Sequence, residues 1–156
     1  MNTGPYSEEK VQKYLQSEFI PVKSQCFWDT RTEMMKQFDV TWTPTLLVLD
    51  SSGKEHHRTV GYVPSDDFMA QLKLGIGKTF FDRFRFAEAG EAFGSVIEQH
   101  PSAGAVPEAM FFLGVAGYWK THDPKALRQA YDMLITRHPA SEWARRAAPY
   151  EQILLS

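Results

Sequence analysis

The pattern of apolar and polar positions changes along the chain from short mixed segments to long helical ones. Residues 46–49 form a continuous apolar run, which is typical of a strand covered on both faces. Residues 51–54 have the composition of a turn, and a second strand is predicted from about Glu55 to Val63. The sequence therefore predicts a β-hairpin in the first half.

Three helices and one more strand are predicted around this hairpin. Val11, Tyr14 and Leu15 recur with helical spacing, and Thr30 with Glu33 forms a capping box that opens a short second helix. Residues 19–24, beginning Phe-Ile-Pro-Val-Lys, are predicted as a short strand. Ser65 is predicted to cap a longer helix.

Strand signals are absent from the second half, where apolar spacing and prolines predict only helices. These are expected at residues 86–99, 105–120, 124–138 and 141–154. The fold class is therefore α/β followed by all-α. We place the boundary between residues 1–77 and residues 78–156, with no flexible linker between the two parts.

Composition narrows the class of protein. The 156 residues are 43% hydrophobic, carry a net charge of −2 and include one cysteine. A chain without a broad basic field is not expected to bind nucleic acid, and a single cysteine forms no internal disulfide. No apolar run approaches the roughly 20 residues of a membrane span, and the N-terminus lacks the apolar core of a signal peptide. We expect a soluble, cytoplasmic protein that does not bind membranes.

The helical half contains two related segments, marked by Pro101 and Pro139 thirty-eight residues apart. The segment from residue 76 to residue 101 resembles a tetratricopeptide repeat through Ile76, Gly77, Phe80, Ala89, Phe93 and Pro101. A looser second unit carries Leu113, Gly114, Tyr118, Ala126, Tyr131 and Pro139. Residues 141–154 are expected to cover the last open face. The alternative is an unrelated pair of helical hairpins.

The first half resembles the thioredoxin family over residues 6–77. The resemblance rests on the order of elements, on residues 19–23 and 40–45, on Gly53 and Lys54 after the hairpin strand, and on Gly61 and Tyr62. It implies that the Thr43–Pro44 peptide bond is cis. It also implies that Trp42, Thr43 and Pro44 contact the backbone of an extended substrate.

The chain departs from this family at the redox centre. The family's C-x-x-C motif and first core strand are missing, and residues 1–6 resemble the segment just after the second cysteine. Without that strand, the predicted strand at 19–24 lacks a neighbour. Pairing with another chain through it would make a homodimer.

The remaining chemistry-bearing residues are few. Cys26 is the only thiol, and it is either a reactive thiol or, as we favour, a small half-buried hydrophobe beside Phe27 and Trp28. His56 and His57 are adjacent on a strand, so they are expected on opposite faces and cannot chelate one metal. We expect no metal site and no cofactor.

Three interpretations of function stay open. The first is a member of the thiol–disulfide oxidoreductase family that acts on or binds protein or peptide clients but, as given, has no dithiol redox centre. The second is a complete, non-catalytic interaction scaffold that uses the helical repeats. The third is a fragment of an active oxidoreductase, which an in-frame C-x-x-C upstream of the Met1 codon would reveal.

Overall fold

The computed structural model describes residues 4–27 and 29–156. A two-stranded antiparallel sheet is formed by β1 (Thr45–Leu49) and β2 (Glu55–Val60). The helices are α1 (Glu9–Glu18), α2 (Glu33–Gln37), α3 (Ser65–Asp82), α4 (Phe86–Gln99), α5 (Val106–Thr121), α6 (Lys125–Arg137) and α7 (Glu142–Ala147), with short 3₁₀ helices at Pro5–Ser7 and Ala148–Gln152. The predicted hairpin and the succession of helices after it are confirmed.

The hairpin packs one face against α3. Val48 of β1 lies in a small core with Val11 of α1 and with Phe68 and Leu72 of α3. Gly75 lets the helix approach the sheet, because a Cβ atom there would lie 2.5 Å from Cγ2 of Val48. Only Val48 is buried among the five residues of β1, so the expectation that both faces of this strand are covered is wrong.

The predicted strand at residues 19–24 is also wrong. This segment belongs to no helix or strand, and Ile20 and Val22 are 94% and 78% exposed. A strand needs a neighbour that satisfies its backbone groups, and no third strand lies beside the hairpin within residues 4–27 and 29–156. The unpaired strand through which we expected a homodimer is therefore not at 19–24. In the two-stranded sheet, β1 and β2 each have one outer edge.

Two helix starts differ from the predicted ones. The cap of α2 is Thr32, whose Oγ1 accepts a hydrogen bond from the Met35 amide at 3.3 Å, and not Thr30. Ser65 is the first residue of α3 and does not cap it. Its hydroxyl instead donates to a carboxylate oxygen of Glu8, which links the start of α3 to the start of α1.

The helical half is built around one apolar core that includes Phe93, Val96, Met110 and Leu134. The predicted helix at 141–154 divides into α7 and the 3₁₀ helix that contains Pro149. Proline removes a backbone donor that a longer α-helix needs. None of the helices in the described parts of the chain is long and apolar enough to cross a membrane.

Helix α3 belongs to both halves. The proposed boundary after residue 77 falls inside this continuous helix. Gly75 faces Val48 of the sheet, whereas Gly77 faces Phe93 of α4, where a Cβ atom would lie 2.5 Å from the ring. One helix thus packs against the hairpin and against the helical region.

Candidate functional site

The loop that leads into β1 holds the three residues predicted to contact a substrate. The Thr43–Pro44 peptide bond is cis, as the family resemblance implies. The loop is fixed from both sides, because Thr45 Oγ1 donates to the Trp42 carbonyl at 2.6 Å and the Gly61 amide donates to the Pro44 carbonyl at 2.8 Å. The side chain of Trp42 stays 58% exposed.

A pocket of about 460 Å³ lies beside Pro44. Its walls come from the N-terminal segment, the hairpin and the start of α3, and they include Tyr6, Pro44, Leu46, Tyr62, Val63 and Phe68. Tyr6 packs edge-on against Phe68 with ring centroids 4.8 Å apart, and burial raises the pKa of its phenol, which stays neutral. Tyr62 is 68% exposed at the rim. The lining is therefore mainly aromatic and aliphatic.

Cys26 lies apart from this pocket. It is half-buried, and its Sγ is 3.9 Å from the Ser24 carbonyl oxygen. It is not among the residues that line the pocket beside Pro44. Trp28, which we expected near Cys26, lies outside the described residues. The structure therefore gives Cys26 no visible connection to the predicted substrate loop.

A buried histidine ties the hairpin turn to the end of α3. The His56 side chain is 1% exposed, with Nε2 2.9 Å from Asp50 Oδ2 and Nδ1 2.6 Å from Asp82 Oδ2. Asp50 also accepts hydrogen bonds from Ser52, and these together with His56 lower the pKa of Asp50. Arg83 lies 3.4 Å from the same carboxylate. Sequence reasoning missed this cluster, because its members meet only through the packing of α3 on the hairpin.

His57 also contacts α3, so the expectation that the two histidines lie on opposite faces is wrong. The register of the hairpin shifts between Val48 and Leu49, and Val48 pairs with His57 while Leu49 pairs with Glu55. His56 is thus the extra residue of a β-bulge, and a bulge breaks the alternation of side chains. His57 Nε2 lies 2.6 Å from Gln71 Oε1 of α3.

These histidines form polar contacts within the fold. No group of three or more His, Cys, Asp or Glu side chains suited to a metal ion occurs in the described ranges. Each histidine instead has partners on α3. Their role in the structure is to hold the hairpin onto α3.

The fold is a small two-stranded α/β unit that continues into a helical region. Residues 6–76 match the family model of a thioredoxin-like domain. The resemblance described for this part of the sequence is thereby confirmed, and the chain carries a thioredoxin-like domain at these residues. Neither a curated protein nor a solved structure matches the chain.

Proposed function

We propose that this protein is a member of the thioredoxin family that binds extended segments of protein clients through Trp42, Thr43 and Pro44. One observation carries the proposal: an exposed tryptophan and an apolar pocket adjoin Pro44 within the thioredoxin-like domain. The tryptophan would cover an apolar client side chain, and the pocket would receive another.

The dimensions of the pocket support this proposal. Its volume of about 460 Å³ lies within the usual range of ligand pockets, about 300–1,000 Å³. Tyrosine and tryptophan are enriched where proteins bind other chains, since they bury a large area with few rotatable bonds. Trp42 and Tyr62 both offer such surfaces beside the loop.

The proposed activity is binding and not dithiol exchange. Reduction of a client by a dithiol leaves the two cysteines of the catalyst joined, and this chain has only Cys26. We expect no turnover when the polypeptide is given insulin and dithiothreitol in a disulfide-reduction assay. Turnover at the rate of a thioredoxin would contradict this part of the proposal. Alkylation of Cys26 by iodoacetamide, followed by mass spectrometry, measures whether this thiol is reactive.

The helical region is proposed to be a pair of tetratricopeptide-like hairpins. The support comes from the two glycines that occupy corresponding places in the repeat pattern. A Cβ atom at Gly77 would lie 2.5 Å from the Phe93 ring, and one at Gly114 would lie 2.4 Å from Cβ of Ala130. In both hairpins the first helix thus approaches the second through a glycine.

A second candidate function is a scaffold that binds partners through the helical region. It is favoured by a group of aromatic side chains at one end of the helices. Phe86 stacks on Trp119 with ring centroids 5.8 Å apart, and Phe84 packs edge-on against Phe86 at 5.9 Å. Phe84 is 80% exposed and Trp119 is 48% exposed.

One pair of variants separates the two candidates. The probe is fluorescently labelled lactalbumin that has been reduced and carboxymethylated, so that it is unfolded and has no disulfide. Client binding at the loop predicts that Trp42→Ala weakens the affinity at least 10-fold, about 1.4 kcal/mol. The matched exposed tryptophan variant Trp119→Ala should then bind like the parent chain. The reverse pattern would favour the scaffold and contradict the loop as the binding site.

A further inference from the structure

We infer that Arg58 is a positioning residue for the client-binding loop. It fixes the segment that leads from α2 into the loop, so that Trp42 is in place before a client arrives. The inference rests on the proposed function and adds to it a residue outside the proposed contact surface. It is carried by the hydrogen bonds of the Arg58 guanidinium and by the way in which α2 ends.

The guanidinium of Arg58 joins β2 to the end of α2. Nη1 donates to the Asp39 carbonyl at 3.1 Å, and Nη2 donates to the Phe38 carbonyl. On the other side, Nε and Nη2 donate to the two carboxylate oxygens of Glu55, each at 2.8 Å. This bidentate pair orients the guanidinium. Hydrogen bonding to Arg58 also lowers the pKa of the Glu55 carboxyl, so the pair stays ionised at neutral pH.

The end of α2 needs such a partner, because the last carbonyl groups of a helix have none within the helix. The Val40 amide donates to the Met35 carbonyl at 2.8 Å and closes the helix in a Schellman motif. Asp39 is the left-handed residue of this motif, with a φ of 50°, where glycine is usual. The carbonyls of Phe38 and Asp39 are bound by Arg58 instead.

The loop is thus held at both of its ends. Toward β1, Thr45 Oγ1 binds the Trp42 carbonyl and the Gly61 amide binds the Pro44 carbonyl. Toward α2, Arg58 binds the two carbonyls that precede the loop, across 19 and 20 residues of sequence. The path of the chain into Trp42 is therefore set from β2.

Loss of the Arg58 bonds should lower the affinity for a client without removing a contact with it. A client binds only those molecules whose loop is in place, so the apparent affinity falls in proportion to that fraction. If the freed loop is in place in about one-tenth to one-third of the molecules, the Kd rises about 3- to 10-fold. Arg31 limits the loss, since its Nη2 donates to the Val40 carbonyl at 3.4 Å.

The test compares Arg58→Ala with Arg128→Ala, a matched variant far from the loop. Arg128 of α6 donates to the Asp132 carboxylate and to the carbonyls of Glu151 and Ile153. The side chains of Arg58 and Arg128 are 29% and 26% exposed. With the labelled carboxymethylated lactalbumin as the probe, Arg58→Ala should raise the Kd about 3- to 10-fold, and Arg128→Ala should bind like the parent chain. Equal affinities of the two variants would overturn the inference.

A double-mutant cycle with Trp42→Ala shows whether Arg58 acts through the tryptophan. Substitutions that act through one contact are not additive, whereas independent losses are. We therefore expect Arg58→Ala to raise the Kd by less than about 2-fold in the Trp42→Ala background. The full effect of Arg58→Ala in that background would overturn the inference.

If Arg58→Ala does not fold, Arg58→Lys decides the question. Lysine keeps the charge but lacks the planar fork that binds a carboxylate and two carbonyls together. This variant should raise the Kd by about 2-fold or more and speed hydrogen exchange of the Val40 amide in the free chain, and parental affinity would overturn the inference. Weaker binding by Trp42→Ala but by neither Arg58 variant would overturn this inference alone, whereas parental affinity of Trp42→Ala would contradict the proposed function as well.

Discussion

Substituting Gly114 by alanine tests the close packing of α5 against α6. The added Cβ atom would lie 2.4 Å from Cβ of Ala130 and 3.0 Å from the carbonyl oxygen of Ala126. Carbon atoms pack without strain at about 3.5–4.0 Å. Both neighbouring atoms are fixed to the backbone of α6, so no side-chain rotation can relieve the contact and the helices must separate.

The magnitude follows from two opposing effects. Overpacking of a well-packed core costs about 1–3 kcal/mol, while replacing glycine by alanine inside a helix gains up to about 1 kcal/mol. Because the contact is short and rigid, we expect Gly114→Ala to lower the free energy of unfolding by about 1–2 kcal/mol. Gly94 of α4 is the matched control, since a Cβ atom there meets nothing within 4 Å.

Gly94→Ala should therefore raise the free energy of unfolding by up to about 1 kcal/mol. The two variants are compared by thermal unfolding followed by circular dichroism at 222 nm. The expected gap between them is about 1–3 kcal/mol, which corresponds to roughly 2–12 °C in the thermal midpoint. If Gly114→Ala unfolds at the same temperature as Gly94→Ala or above it, α5 and α6 do not approach through Gly114, and the proposed repeat packing is refuted.

Two further predictions concern the thioredoxin-like domain. Removing the α2 cap by Thr32→Ala should cost about 1 kcal/mol locally and speed hydrogen exchange of the Met35 amide several-fold. Thr30→Ala is the control and should leave that exchange rate unchanged. Equal effects of the two substitutions would contradict the assignment of the cap to Thr32 instead of Thr30. Burial, more than the nearby Lys78 ammonium, lowers the pKa of His57 below its ordinary value of 6.5. His57 therefore binds a proton more readily in the unfolded chain than in the folded chain. The contribution of this group to the free energy of unfolding is complete above pH 6.5 and declines as the pH falls below it. The thermal midpoint should fall less steeply between pH 7 and pH 5 in His57→Gln than in the parent, and identical slopes would contradict this assignment.

The sequence predicted best those elements whose signals are local. Helices α4, α5 and α6 were expected within one or two residues of their observed ends, because apolar spacing and flanking prolines act within a few residues of each other. The hairpin was predicted by the turn composition of residues 51–54 for the same reason. Local propensity and apolar spacing are sufficient to predict an element whose conformation does not depend on residues far away in the sequence.

Prediction failed where structure depends on distant partners. Residues 19–24 have the composition of a strand, but strand formation depends on a neighbour, and the context of a strand outweighs its propensity. The bulge between Val48 and Leu49 places both His56 and His57 against α3, and no local signal marks it. His56 meets Asp82 across 26 residues of sequence only because α3 lies on the sheet.

The candidate site was predicted in part. The sequence resemblance identified the loop at Trp42, Thr43 and Pro44, and the structure adds the pocket beside Pro44 and the exposure of Trp42. The pocket could not be read from the sequence, because it brings Tyr6 near Tyr62 through the folding of the N-terminal segment onto the hairpin. A pocket between distant segments has no local sequence pattern.

The central claim is that clients bind at the loop before β1. Hydrogen exchange with mass spectrometry, with and without the carboxymethylated lactalbumin, locates the bound surface directly. The account predicts slower exchange in peptides that cover residues 42–45 and the pocket residues around Tyr62, with no change in α5 and α6. Slower exchange confined to the helical region, or no change anywhere at saturating probe, would contradict it.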